Sequence, residues 1–399
     1  GLYSVYVNIE LPVVDCVVDM TIHGLIVDEE RLARIEATEA FETEIRLRQV
    51  QEIAGSLDPA SDKAVRDFLY EQCGLAPPFR TPGNEKPACK LALQRLADKH
   101  EVVRPIQNYR AHRNVLEAAR TLRPHVGADG AVRGELDPLG ARTSRFTCKE
   151  PNLLCLDKRL RETVCAGTGR ALVEADYSLA EFRVLAHFSR DRALLADLAA
   201  GVDLHSRTAS IVLGKSEAEI TAPERSRGKT INFGILYGET EHGLSRDLDV
   251  SLEAARGYID EFIHAHPGVR DWIESVKSRA RGTGWVSTLF GHRRCLPNIR
   301  SADSFLRQEA ERQAVNTVIQ GSAGDLLKAA LIQLRRGLRP DWRLLLAVHD
   351  SVLLSVPEQD AAEAAEVVRA AMEHPRPGFT VPLRVDVGWG DSWAACKPG

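Results

Sequence analysis

An α+β fold, with a small amount of β structure set among many helices, is predicted by three observations. Two apolar runs, Leu344–Val348 and Val352–Val356, flank His349-Asp350-Ser351 in the pattern of a β-hairpin. A short β-like run at 171–177 (ALVEADY) leads straight into a helical pattern at 179–190 (LAEFRVLAHFSR). Between these features, 191–337 is mostly helical.

Taken in order, residues 12–27 alternate apolar and polar around Gly24, as a strand does. Asp28 then stands where an N-cap belongs, for a helix running through 29–53. Gly74, Pro77, Pro78, Pro82, Gly83 and Pro87 mark a surface loop over 74–87. A long helix over about 101–122 ends near Pro124. From 127 to 156 the chain is irregular or stranded, punctuated by Gly127, Gly130, Gly134, Pro138, Gly140 and Pro151. Asp176 falls at the end of the 171–177 strand, and a Gly-rich, β-like patch interrupts the helices at 282–299. There are no internal repeats, heptads or low-complexity tracts.

The chain has 399 residues, 44% of them hydrophobic. That length suits two or three packed subdomains, because single cores stop growing at about 250–300 residues. No apolar run approaches the roughly 20 residues of a membrane span, and no charged-then-apolar leader opens the sequence, so a soluble intracellular protein is expected. Gly1 stands in place of an initiator Met, which fits either trimming or an engineered start, and a missing upstream domain is expected. The eight cysteines form no C-x-x-C pair and are expected to be reduced thiols. A formal net charge of −4 does not announce a nucleic-acid binder. Basic residues do gather, as Arg104, Arg110, Arg113, Arg120 and Arg123, and again as Arg142, Arg145, Lys149, Lys158, Arg159, Arg161 and Arg170. Such runs are commonly solvated faces, and alone they decide nothing.

Chemistry gathers in three places. In RSRGKTINFGILYG (225–238), Arg225, Lys229, Phe233 and Tyr237 recur every fourth residue and share one drifting helix face, while Ile231 and Ile235 fall on the other. Two cations followed by two rings suit a triphosphate and a base. Gly234 and Gly238 each weaken a helix by about 1 kcal/mol, which points to close approach or bending. A second stripe, Arg312, Asn316 and Gln320, offers donors suited to minor-groove acceptors shared by all base pairs. The third is the hairpin turn itself, where Asp350 replaces the usual Asn-Gly or Gly-containing pair between two apolar strands. Two carboxylates on strand ends, Asp176 and Asp350, can hold hard cations through oxygen. Paired ions about 3.5–4 Å apart promote in-line phosphoryl transfer.

Together these segments resemble the motifs of family A DNA polymerases, the class of bacterial polymerase I. DYSLAEFRVLAH (176–187) is similar to motif A, RSRGKTINFGILYG (225–238) to motif B and VHDS (348–351) to motif C, in that order along the chain. The resemblance implies a right-hand fold with palm, thumb and fingers. The palm would comprise 1–30, 126–190 and 338–399, the thumb 31–125, and the fingers with their following helices 191–337. It implies a template-directed DNA polymerase that adds dNTPs to a primer 3′-hydroxyl, without a proofreading domain in this chain. Two Mg²⁺ ions, with Mn²⁺ as a substitute, would bind Asp176, Asp350 and the main-chain carbonyl of Tyr177. Arg225, Lys229 and His205 would grip the triphosphate, and Lys229 would protonate the leaving group. Phe233 would pack on the incoming sugar and base, Tyr237 would guard the template side, and Glu181 would be the steric gate against a 2′-hydroxyl. Arg145, Arg312, Asn316, Gln320 and His349 would touch the primer–template minor groove. A monomer is implied, cytoplasmic and nucleoid-associated, of bacterial or phage type, or else organellar.

Two departures from the family pattern stand out. Leu179 and Ala180 replace the usual Gln and Ile of motif A, and Ser351 replaces the Glu that normally follows the motif C Asp. Serine brings no charge, so reduced activity is expected. Two other readings stay open. His-Asp-Ser also occurs in single-subunit RNA polymerases, against which Glu181 and Phe233 stand. A non-catalytic primer–template binding module is the other, against which the retention of Asp176, Asp350, Arg225 and Lys229 stands.

Overall fold

A computed structural model describes residues 1–81, 83–376 and 378–396; Pro82, one of the loop prolines named above, lies outside the described residues. The chain divides into two compact units. One comprises Gly1–Gly24, Gly134–Leu154 and Ala166–Gly399, the other Leu25–Arg133 and Cys155–Cys165.

The smaller unit is built on two long helices, Glu29–Ala54 and Val103–Leu122. As expected, Asp28 caps the first, its side chain accepting the backbone N–H of Arg31 at 2.9 Å. A core of Val50, Leu69, Leu93, Val103 and Ile106 is fully buried. Residues 155–165 return to this unit through a bridge between Val164 and Val27. Buried Glu39 also ties them in, accepting from Arg159 at 2.9 Å and lying 2.7 Å from His112 Nδ1.

In the larger unit the first element departs from expectation. Residues 12–27 are not a strand: Leu11–His23 is a helix, α1, and only Leu25–Ile26 pair as strand, in the smaller unit. Its buried residues Val13, Cys16 and Met20 follow the helical period. Val14, Val18 and Ile22 remain exposed, and these extra apolar residues are what imitated a strand's alternation.

The larger unit is organised by a four-stranded antiparallel sheet. Its strands are β1 (Arg170–Tyr177), β4 (Arg343–Val348), β5 (Ser351–Pro357) and β6 (Val385–Gly390), in the order β6-β1-β5-β4. Along β1, Ala171, Val173, Ala175 and Tyr177 are buried on one face, and the Tyr177 hydroxyl donates to Met372 in the helix Ala361–Glu373. Asp176 points to the opposite, open face. The helices used below are α2 (Ala180–Ser189), α3 (Leu204–Leu213), α4 (Ala222–Leu236) and α5 (Ser304–Gly337). The β-like patch at 282–299 is a hairpin of β2 (Trp285–Ser287) and β3 (Arg293–Cys295).

Buried charges lock that hairpin to α5. Lys328, wholly buried, donates to Glu10 Oε1 at 2.7 Å, and His292 Nε2 lies 2.6 Å from the same oxygen. His292 Nδ1 is 2.7 Å from Asp325 Oδ1, off the line of a hydrogen bond, so that contact is a pairing of charges. Burial alone would lower the His292 pKa, but Asp325 and Glu10 outweigh it and raise the pKa to about 9. A proton held more tightly in the folded state stabilises fully below the unfolded value of about 6.5, and that stability is lost as pH rises through about 9. The thermal midpoint should therefore fall by a few degrees across this window. A His292→Gln variant, lacking the titration, should be lower at pH 6.5 and flat up to pH 9; an equally steep variant would refute this assignment.

Candidate functional site

The hairpin β4–β5 places Asp350 against the end of β1. Ser351 pairs with both Val348 and Asp176, and the Tyr177 N–H donates to the Asp350 carbonyl at 3.1 Å. The connecting turn is thus two residues, His349-Asp350. Ser351 belongs to β5 rather than to the turn as expected, because it is directly paired with Val348. Its hydroxyl donates to the Val348 carbonyl at 3.1 Å, and the residue is buried. His349 takes φ +53°, a left-handed conformation that L residues seldom hold, and so the tight turn sets the direction of Asp350.

The neighbouring strand adds a residue that sequence reasoning missed. Asp386 in β6 lies directly opposite Asp176, and both are exposed. Directly opposed side chains share one face of an antiparallel sheet, and like charges so placed repel. Asp386, Asp176 and Ser351 therefore form one row across the sheet, with Asp350 at the hairpin tip.

Beyond the sheet edge, Leu179 takes φ +56° and turns the chain from β1 into α2. This swings Glu181, only 7% exposed, into a polar cluster. Arg145 donates to Glu181 Oε1 at 2.6 Å, and the Tyr237 hydroxyl donates to Oε2 at 2.9 Å. Arg145 also stands 3.7 Å from Asp350 Oδ1. Burial, assisted by the Asp350 charge, raises the Glu181 pKa in spite of the Arg145 cation. The Tyr237 hydroxyl is likewise raised, by burial and then by Glu181.

The stripe on α4 is present with its companions. Phe233 and Tyr237 stack at 5.8 Å between centroids, Phe182 meets Phe233 edge-on at 6.3 Å, and the His205 ring is 5.9 Å from Phe233. Lys229 Nζ lies 5.8 Å from the Phe233 centroid. Exposed Lys229 makes no ion pair among the described residues. Arg225 is paired to Asp203, the N-cap of α3, whose pKa is about 2. Burial alone would raise that value, and bonds from Arg225, Ser206 and the His205 N–H pull it down. Helices α3 and α4 touch at Gly228, another residue that sequence reasoning missed: a Cβ there would lie 2.1 Å from the His205 carbonyl. At Gly234 a Cβ would meet the Glu239 carboxylate at 2.9 Å, and Gly238 has φ +67° beside Arg312, so both expected glycines serve close approach or bending.

On α5, Gln320 lies near the Tyr237 hydroxyl, and the buried Oδ1 of Asn316 has no partner among the described residues. The structure thus gathers Arg145, Glu181, Tyr237 and Asp350 in one network with Gln320 beside it, and the ring stack joins this network to Phe233, Lys229 and His205. Arg312 packs on Gly238, and His349 is exposed at the turn tip.

Residues 29–395 match the family model for DNA polymerase family A. The chain is 33% identical to DNA polymerase I of Caldicellulosiruptor bescii over 98% of its length and 47% of the relative's. It is 33% identical to thermostable DNA polymerase I of Thermus filiformis, over 99% of its length and 49% of the relative's. It therefore spans about half the length of these curated relatives. Among solved structures, the POL domain of Pol1 from M. smegmatis, in complex with DNA primer-template and dNTP, is similar with a TM-score of 0.92. That match has 32% identity and covers 98% of this chain and 70% of that one. Among the described residues, no helix is long and apolar enough to cross a membrane.

Proposed function

The chain belongs to DNA polymerase family A, and on that footing we propose that it extends a DNA primer on a template by adding dNTPs. The observation that carries this reading is the stitching of the Asp350 turn onto the strand bearing Asp176, beside the Glu181 network. The larger unit supplies palm and fingers in this reading, and the smaller unit is the thumb. In the reaction the primer 3′-hydroxyl gives up its proton to solvent, its oxygen bonds to the α-phosphorus, the α–β bridging P–O bond breaks, and pyrophosphate leaves.

The donor set at the sheet edge fits hard divalent cations. Asp176 and Asp350, with the Tyr177 carbonyl, offer only oxygen, and the repulsion between Asp176 and Asp386 is relieved by positive charge. A bound Mg²⁺ pair supplies activation of the attacking oxygen and neutralisation of the leaving one. The protein's own groups do the remainder. Lys229, without an ion pair among the described residues and beside Phe233, would neutralise the triphosphate and protonate pyrophosphate. Arg225 joins it by exchanging Asp203 for phosphate oxygens. Phe233 and Tyr237 give the incoming base and sugar a stacked wall, while Arg145, Arg312, Asn316, Gln320 and His349 face the minor groove.

The direct test is extension of a labelled primer on a DNA template, with dNTPs and rNTPs supplied in separate reactions. Extension by dNTPs is expected; a product made only from rNTPs, or none with binding intact, would overturn the reading. Ser351 makes a second prediction. A Ser351→Glu variant completes a row of three carboxylates, Asp386-Asp176-Glu, so the metal-free protein should melt lower. Its extension should half-saturate at several-fold lower Mg²⁺ or Mn²⁺. An unchanged metal midpoint would sink the idea that serine weakens this site.

A further inference from the structure

We propose that Asn232 is a positioning residue that fixes His205 as the neutral tautomer with its proton on Nε2, so that the ring meets a nucleotide triphosphate as a hydrogen-bond donor. The inference rests on the reading above in one respect, that His205 lies on the triphosphate side of the pocket.

The hydrogen bonds around Asn232 leave a single consistent assignment. Asn232 is 1% exposed and reaches across from α4 to α3. One end of its amide is 3.0 Å from the Leu204 carbonyl, which can only accept, so that end is the NH₂ group. The other end, Oδ1, accepts the Thr208 hydroxyl at 2.8 Å. The second amide hydrogen is then directed to His205 Nδ1, 3.1 Å away, and Nδ1 must be the bare, accepting nitrogen. An imidazolium would set N–H against N–H₂ in a buried pocket. The proton of the neutral ring is left on Nε2, which makes no hydrogen bond among the described residues.

The surroundings act in the same direction. Charged groups facing the ring are Asp203 on its own helix cap and Arg225 and Lys229 from α4; Phe182 and Phe233 close the apolar sides. Burial is the largest influence and lowers the His205 pKa, Asp203 opposes it, and Arg225 and Lys229 lower it further. Gly228 sets the distance, since any side chain there would push α3, with the His205 backbone, away from α4. A neutral donor whose state does not change near pH 7 gives nucleotide binding that is flat where an ordinary histidine titrates.

The experiment is ¹⁵N NMR of the histidine rings in the full chain without nucleotide, with His205→Gln used to assign the signal. At pH 7.5 and at pH 6, Nδ1 should be unprotonated and Nε2 protonated. A protonated Nδ1 at either pH would overturn the proposal, and the state of the ring is read in the wild-type chain, the variant serving only to assign its signal. Asn232→Asp replaces the donor by an acceptor, so the ring should become charged near neutral pH. Its KM for dNTP should then change about tenfold between pH 6 and 8, against less than twofold in the wild type, with kcat moving less. A ring that titrates as expected while KM stays flat would overturn the role in nucleotide binding. A wild-type ring without the Nε2 proton alongside normal extension would sink the tautomer assignment alone and leave the polymerase reading standing.

Discussion

Replacing Asp350 by alanine is expected to reduce primer extension about 10²–10³-fold, the scale of removing one preorganised polar group from a transition state, while primer–template binding is kept. Its backbone is held independently of its side chain, by the Tyr177 N–H on the Asp350 carbonyl and by the Val348–Ser351 pair. The fold of the turn should therefore survive. What disappears is one of two carboxylates at the sheet edge, and Asp386 on the far side of Asp176 cannot reach the hairpin tip to replace it. Arg145, 3.7 Å from Asp350, keeps its stronger contact with Glu181. Single-turnover extension and fluorescence anisotropy of a labelled primer–template separate the two effects. A loss of less than about tenfold in extension, or an equal loss in binding, would show that Asp350 serves the hairpin rather than the chemistry.

The features on which that prediction depends were unequally legible in the sequence. Asp176 and Asp350 could be read because β1 and the β4–β5 hairpin are apolar enough to be recognised alone, and each aspartate interrupts such a run. The α4 stripe could be read for a similar reason, since a spacing of four survives in any helix. Pairings across the chain could not. Arg225 with Asp203, Glu181 with Arg145 and Tyr237, and Asp386 with Asp176 join residues far apart in sequence. No local period encodes them. Asn232 sits between Ile231 and Phe233 and looks like a lapse in an apolar stripe until α3 is packed beside it. Gly228 was invisible because its demand comes from the backbone of another helix. The opposite failure occurred at α1, where apolar residues on the exposed face hid a helical period beneath an apparent alternation.

Glu181 carries the second large effect: Glu181→Ala should lower discrimination against ribonucleotides by about 100-fold, within the range that steric pockets achieve for small groups. A wall excludes a hydroxyl only if it cannot move, and this side chain is pinned at both oxygens, by Arg145 at 2.6 Å and by Tyr237 at 2.9 Å. At 7% exposure it has little space to rotate into. Its raised pKa is unimportant for the wall, because the protonated acid has the same shape. Glu181→Gln should therefore keep most of the discrimination, whereas Tyr237→Phe, which releases Oε2, should relax it partly. Alanine also removes the acceptor of the Tyr237 hydroxyl and leaves Arg145 with Asp350, so extension with dNTPs should fall as well, though less than rNTP use rises. Competing rNTP and dNTP incorporation, measured as a ratio of kcat/KM, reports the wall directly. If Glu181→Gln loses as much discrimination as Glu181→Ala, the selectivity comes from the carboxylate's charge and not from its bulk.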